Sequence, residues 1–265
     1  MISCGMVWFL HIGKTGGGTV KTVLQVLSRQ GWKHYDHFAD SRPYCRGGVG
    51  GIMRSPRMEA WNSSRWRVVL RELQTPKPRI LVNYHSCPPG FATLLPQLAD
   101  IEDGLRQKGC SLLLTTMLRE PVARMQSHLN WWPVRTWLSS NLRSVSARLA
   151  DYQTKFIMFG GERFWPDPYN TTRGSPATDE LRANASAVLS RFGIVGRTEN
   201  LSDFVRCVQT AIGHTPNRRP SALPHVHALS HRRSRNLLTP DRLWIAERER
   251  GDSELYHMHS RAHPC

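Results

Sequence analysis

The 265-residue sequence lacks the features that would place it across a membrane or around a metal ion. No segment approaches the ~20 consecutive apolar residues that a membrane-spanning helix needs. No charged and apolar signal-peptide pattern precedes the first apolar run. None of the six cysteines lies in the CxxC or CxxH spacing of a zinc site. We therefore expect no metal, and we expect membrane attachment only through an anchor that is not visible in this chain.

Acidic residues are also scarce. The chain has 20 Asp and Glu against 36 Lys and Arg, a net charge of +16, and its pI is near 10.4. This surplus favours an anionic partner, and a generally basic composition without a specific partner is the alternative. The length and the 40% hydrophobic content predict one folded domain over 1–265, with an irregular insertion at about 40–60.

A glycine-rich loop near the N-terminus is the strongest local signal. An apolar run from Met6 to Ile12 predicts a buried strand, and helical spacing of apolar residues resumes at Val20. A strand, a glycine loop and a helix form the usual cradle for phosphate, because backbone N–H groups and the helix N-terminus face the anion. The candidate binding residues are one cation, two hydroxyls and three glycines: Lys14, Thr15, Gly16, Gly17, Gly18 and Thr19. A plain glycine-rich turn is the alternative.

The residue pattern of this loop distinguishes between phosphate-binding families. The nucleotide-triphosphatase loop needs a glycine five residues before Gly13, where this chain has Trp8. The segment instead resembles the 5′-phosphosulfate loop of sulfotransferases, above all the Golgi carbohydrate type, whose usual wording is His-Ile-Pro-Lys-Thr-Gly-Gly-Thr. Here Gly13 replaces the proline, and one glycine is extra before Thr19.

A second motif follows another predicted strand. The apolar run Ser111–Met117 leads to Arg119 at the strand's carboxyl end, and Ser127 lies eight residues further on. This pair resembles the 3′-phosphate motif of sulfotransferases, and Met-Leu-Arg-Glu-Pro-Val-x-Arg is close to the wording in heparan sulfate 2-O- and 6-O-sulfotransferases. Weaker likenesses to the same enzymes follow in order at 151–155, 192–200 and 252–256.

Apolar runs and helical patterns alternate along the chain. Besides the two strands above, strands are predicted at 80–84 and 192–196, and the stretch 65–73 is ambiguous between strand and helix. Helices are predicted at 91–108, 121–132, 144–159, 178–192, 199–213 and 239–261. The alternation predicts an α/β fold with a central parallel sheet covered on both faces by helices, a P-loop-like three-layer sandwich. Ligands of such sheets bind at the carboxyl ends of the strands.

The resemblance implies transfer of a sulfuryl group from 3′-phosphoadenosine 5′-phosphosulfate (PAPS) to a hydroxyl of a glycan. Lys14 would meet the leaving oxygen, and Arg119 with Ser127 would hold the 3′-phosphate. His85, directly after the strand 80–84, is the best candidate for the base, and a structural histidine is the alternative. Glu72 and Glu120 are weaker candidates. We interpret His11 as a buried, hydrogen-bonded residue of the first strand.

The acceptor and the compartment follow from the resemblance and from composition. The excess of arginine favours an anionic polysaccharide, and we expect no nucleic-acid partner. Tryptophans at 131, 132 and 137 would stack on sugar rings, although core packing is the alternative. The Golgi lumen is implied, and the even number of cysteines and the sequons at 62, 170, 184 and 200 favour a secretory compartment.

Two other functions are open at this point. One is a P-loop nucleotide kinase, which Trp8 disfavours. The other is a non-catalytic polyanion-binding protein that retains the fold, which the altered loop at Gly13 allows.

Overall fold

The computed structural model describes residues 2–36, 64–85, 90–131, 149–160, 174–214 and 237–259. Within them, five strands form one sheet in the order β2-β3-β1-β4-β5, and every neighbouring pair is parallel. The strands are β1 Gly5–Leu10, β2 Lys33–Asp36, β3 Arg79–Tyr84, β4 Ser111–Leu118 and β5 Ile194–Arg197. The predicted parallel sheet of an α/β fold is confirmed.

The helices of the described residues cover both faces of this sheet. They are α1 Gly17–Ser28, α2 Ser64–Leu73, α3 Phe91–Arg106, α4 Pro121–Trp131, α5 Tyr152–Phe159, α6 Asp179–Leu189, α7 Leu201–Ala211, α8 Thr239–Arg248 and α9 Arg250–His259. Successive side chains of β1 divide between two buried clusters because a strand alternates its side chains. Trp8 and Leu10 pack with Phe91 on one face, whereas Phe9 packs with Phe204 on the other. The prediction that helices cover both faces is confirmed.

The strand order predicts a ligand crevice at the carboxyl ends of β1 and β4. After β1 the chain builds β2 and β3 on one side of it and then crosses to build β4 and β5 on the other side. At such a switch point the loops on either side turn away from each other and leave room for a ligand. The loops that follow β1 and β4 are therefore the first candidates for a site, and the parallel strand β3 ends beside β1 at the same edge.

Several predicted boundaries differ from the structure. β2 lies in a stretch for which we predicted no strand, because Lys-His-Tyr-Asp carries almost no apolar signal. The ambiguous stretch 65–73 is helical, and the helix expected at 239–261 is two helices that meet at Glu249. The insertion expected at about 40–60 and the tryptophans at 132 and 137 lie outside the described residues.

The cysteines form cross-links. Cys4, just before β1, is bonded to Cys110, just before β4, with the two Cα atoms 5.0 Å apart. Cys207 on α7 is also disulfide-bonded. The first bond joins the starts of the two strands whose carboxyl ends carry the candidate motifs. Among the described helices, none has the length and apolar character needed to cross a membrane.

Candidate functional site

The loop between β1 and α1 turns sharply through two left-handed residues. Lys14 has φ 68° and Gly16 has φ 84°, and Lys14 is one of only two non-glycine residues with positive φ in the described chain. Such a conformation costs free energy at a lysine, so its surroundings must hold it there. One holding contact comes from Thr15, which is buried and whose Oγ1 donates a hydrogen bond to the carbonyl of Ile12 at 2.9 Å.

At two positions of the loop a side chain larger than hydrogen would clash with an aromatic ring that packs against the main chain. A Cβ atom on Gly17 would lie 1.9 Å from Cδ2 of His11, and one on Gly13 would lie 2.9 Å from the hydroxyl of Tyr152. Proline also carries a Cβ atom. Gly13 replaces the proline of the sulfotransferase motif, and a proline here would bring its Cβ atom too close to Tyr152, which packs against the loop from α5.

Arg119 ties the loop after β4 to the loop after β1. Its Nη1 donates a hydrogen bond to the carbonyl of Lys14 at 3.2 Å. Its Nε is buried and has no hydrogen-bond partner in the part of the chain that the structure describes. Burial, and after it the charge of Arg119, lowers the pKa of Lys14 to about 7. The two cations predicted for the two phosphate motifs thus lie close enough to repel each other.

A further cation, Arg124, lies behind them on α4. It is fully buried, its guanidinium stacks 4.4 Å from the ring centre of Tyr152, and its Nη2 donates to Glu249 at 3.1 Å. Its Nε and Nη1 are buried without partners among the residues described. Burial and the charges of Arg124 and Lys14 lower the pKa of His128 to about 3. This positive field favours an anionic ligand.

His85 lies at the same edge of the sheet, directly after β3. Its ring centre is 4.6 Å from that of His11 in an edge-to-face arrangement. Burial lowers the pKa of His85, the carboxylate of Asp36 partly offsets this effect, and the charge of Lys14 lowers the pKa again, so that the net value is about 4. His85 is therefore neutral at physiological pH, which is the protonation state that a base requires.

His11 was missed as a residue of the site. We placed it inside the first strand, but β1 ends at Leu10, and the main-chain N–H of His11 donates to the carbonyl of Tyr84 at 2.8 Å. Its Nδ1 is buried without a hydrogen-bond partner in the described chain, so the structure shows the expected hydrogen bonding at the main chain of His11 but not at this ring nitrogen. Burial lowers its pKa well below the usual value, and His85, Lys21 and Lys14 add to this effect.

The remaining candidate residues differ in what their contacts show. Thr19 is buried in the first turn of α1, and the carbonyl of Gly18 accepts a hydrogen bond from Thr22. Ser127 is half-buried on α4, eight residues after Arg119, whose guanidinium contacts the loop. The structure thus brings the glycine loop, Arg119 and His85 together and leaves the role of Ser127 a prediction.

Both weaker candidates for the base have other partners. The carboxylate of Glu120 accepts hydrogen bonds from the N–H groups of Val122 and Ala123, at 3.0 and 2.7 Å, and so caps α4. Glu72 pairs with Lys33 at 2.7 Å. These contacts favour His85 over either glutamate.

A cavity of about 230 Å³ lies between β2, β3 and α2. Its walls are mainly aromatic, and they include Trp8, Tyr35, Asp36, Trp66 and Tyr84. Tyr84 directly precedes His85, and the charge of Asp36 acts on the pKa of His85. The cavity is therefore next to the candidate base.

Three buried carboxyl groups lie together behind the site: Asp151, Glu249 and Asp252. Asp252 accepts hydrogen bonds from the N–H groups of Gln153 and Thr154, and Asp151 accepts from those of Ala177 and Asp252. Glu249 is paired with Arg124. Main-chain donors and Arg124 thus occupy the oxygens of this cluster except Oε2 of Glu249, which is buried without a hydrogen-bond partner among the described residues. These contacts join α5, α9 and the start of α6 behind the site.

Comparison with known proteins adds little to this geometry. No family model matches the chain, and no curated protein matches it. Among solved structures, a sulfotransferase from Alicyclobacillus acidocaldarius is similar over 95% of this chain and 94% of its own, with 15% sequence identity and a TM-score of 0.48. At that level the likeness assigns no activity.

Proposed function

We propose that this protein is a carbohydrate sulfotransferase that uses PAPS. The observation that carries the proposal is the group of crowded cations at the carboxyl edge of the sheet. Besides burial, the charge of Arg119 lowers the pKa of Lys14, the charge of Arg124 lowers the pKa of Arg119, and the charges of Arg124 and Lys14 lower the pKa of His128. Buried guanidinium nitrogens of both arginines lack partners among the described residues. An anion with several charged oxygens would supply those partners.

The nucleotide would bind across the two loops. The 5′-phosphosulfate would lie on the glycine loop, with Lys14 near the oxygen that bridges phosphorus and sulfur. The 3′-phosphate would lie near Arg119, with Ser127 as the predicted second contact. Phosphate dianions raise the pKa of a neighbouring lysine, so Lys14 would be fully charged once the nucleotide is bound.

The reaction would be an in-line displacement at sulfur. The acceptor hydroxyl oxygen forms a new bond to sulfur while the bond from sulfur to the bridging oxygen breaks, and adenosine 3′,5′-bisphosphate leaves. Lys14 and the loop N–H groups would stabilise the charge that builds on the leaving oxygen. The hydroxyl proton would pass to His85, whose neutral ring can accept it.

The acceptor would be a glycan, and an anionic polysaccharide would be the preferred substrate. The net charge of +16 supports an anionic substrate, and the aromatic cavity next to His85 supports a sugar ring. The disulfides at Cys4–Cys110 and Cys207 support an oxidising compartment, and the Golgi lumen is the compartment that we propose.

Nucleotide binding tests the proposal against the two alternatives. Calorimetry should give tighter binding of adenosine 3′,5′-bisphosphate than of adenosine 5′-phosphate or of ATP with magnesium. Preference for ATP with magnesium would contradict the proposal and favour a P-loop kinase. Tight bisphosphate binding without transfer of labelled sulfate to any glycan of a broad panel would favour the non-catalytic protein.

A further inference from the structure

A single side chain holds the main chain of Arg119. The N–H of Arg119 donates to Oε1 of Gln153 at 2.9 Å, and Nε2 of Gln153 donates to the carbonyl of Arg119 at 2.9 Å. Arg119 directly follows β4, at the point where ladder hydrogen bonds end. The amide of Gln153 replaces them on both sides of one residue, and Gln153 is fully buried.

Gln153 is in turn fixed by the C-terminal part of the chain. Its own N–H donates to Oδ2 of Asp252 at 2.7 Å, and the N–H and Oγ1 of Thr154 both donate to Oδ1 of Asp252 at 2.8 Å. Asp252 on α9 therefore caps the N-terminus of α5, where Gln153 lies. The position of this helix, and with it the amide of Gln153, depends on a buried carboxylate about a hundred residues away in sequence.

We propose that Gln153 is a positioning residue for nucleotide recognition: it sets where the Arg119 guanidinium stands against the Lys14 loop. This inference depends on the proposed function, since it assigns to Arg119 the 3′-phosphate. An amide is required because Gln153 must accept from an N–H and donate to a carbonyl at once. A carboxylate could only accept, and an apolar side chain of the same length could do neither.

A purely structural role of Gln153 makes a different prediction from a positioning role. Loss of two buried hydrogen bonds would lower stability in either case. Only a positioning role would change the preference of the protein for a nucleotide that carries a 3′-phosphate over one that lacks it. The ratio of the two dissociation constants is therefore the informative quantity.

The experiment compares Gln153→Met with wild type by calorimetric titration of adenosine 3′,5′-bisphosphate and adenosine 5′-phosphate. We expect the preference for the bisphosphate to fall about tenfold, since two hydrogen bonds that orient Arg119 are lost. Thr154→Val is the matched control: it removes the side-chain hydrogen bond to Asp252, keeps both main-chain bonds by which Asp252 holds the helix, and leaves the bonds between Gln153 and Arg119 in place. It should lower the melting temperature and keep the preference. If Gln153→Met does not fold, Gln153→Glu of the same size serves instead, since it loses the donor to the Arg119 carbonyl.

The outcomes separate this inference from the function beneath it. A wild-type protein without preference for the bisphosphate would contradict the proposed function itself. A wild-type preference that survives in the Gln153 variant would overturn the positioning role and leave the proposed function intact. An equal loss of preference in Thr154→Val would also overturn it, because the effect would then follow general loss of packing.

Discussion

The charge of Lys14 in the free protein should depend on pH near neutrality. Burial, and after it the charge of Arg119, lowers the pKa of Lys14 from 10.5 to about 7. A phosphate dianion bound beside the ammonium favours the charged form and raises this pKa in the complex. The complex therefore keeps a proton that the free protein loses above about pH 7, so affinity for adenosine 3′,5′-bisphosphate must fall as pH rises.

The size of the effect follows from the two protonation states. Each pH unit above the pKa of the free protein costs close to tenfold in affinity, so the dissociation constant should rise about fifteenfold between pH 7 and pH 8.5. Calorimetric titration at several pH values in this interval measures it. The phosphates contribute little to the slope, because their second pKa, near 6, lies below the interval.

Two variants isolate Lys14 as the cause. Lys14→Arg should bind with nearly constant affinity over the same interval, because a guanidinium keeps its charge. Lys33→Ala should keep the wild-type slope, since Lys33 is an exposed lysine that pairs with Glu72. A wild-type affinity that does not change with pH, or a slope that persists in Lys14→Arg, would refute the reasoning.

Three further predictions concern other parts of the site. Arg119→Ala and Ser127→Ala should weaken binding of adenosine 3′,5′-bisphosphate more than binding of adenosine 5′-phosphate in calorimetry, and equal weakening would assign both residues to the fold. His85→Ala should lower transfer by about a hundredfold or more with nucleotide affinity retained, and with saturating nucleotide the wild-type rate should fall on the acidic side as pH approaches the His85 pKa of about 4; a variant that retains more than about a tenth of the activity would exclude His85 as the base. Gly17→Ala should abolish nucleotide binding because its Cβ would lie 1.9 Å from His11, and the added change His11→Ala should restore it; a Gly17→Ala protein that binds normally would show that the loop has room.

The parts of the site that the sequence predicts are those with a local signal. The apolar run of β1, the glycines and Lys14 are adjacent in the chain, and Arg119 follows an apolar strand directly. Parallel topology then brings strand ends to one edge without any knowledge of side-chain contacts. The local pattern was sufficient to predict that these residues lie at one edge of the sheet, because each lies within a few residues of the strand that positions it.

The features that the sequence does not predict depend on contacts between residues that are distant in the chain. β2 has too few apolar residues to form a pattern, and it is a strand because it pairs with β3. The break between α8 and α9 falls at Glu249, where a buried carboxylate meets Arg124. The role of Gln153 depends on a pairing across 34 positions. Periodicity carries no information about such pairings.

Sulfuryl transfer itself tests the central claim most directly. Wild-type protein, Lys14→Ala and Lys33→Ala are incubated with PAPS labelled in its sulfuryl group and a panel of anionic and neutral glycans. We expect labelled glycan from wild type and Lys33→Ala, and a loss of about a hundredfold or more in Lys14→Ala, because the charge that meets the leaving oxygen is gone. Wild-type protein that binds the nucleotide but labels no glycan, or Lys14→Ala that labels as fast as wild type, would contradict the account.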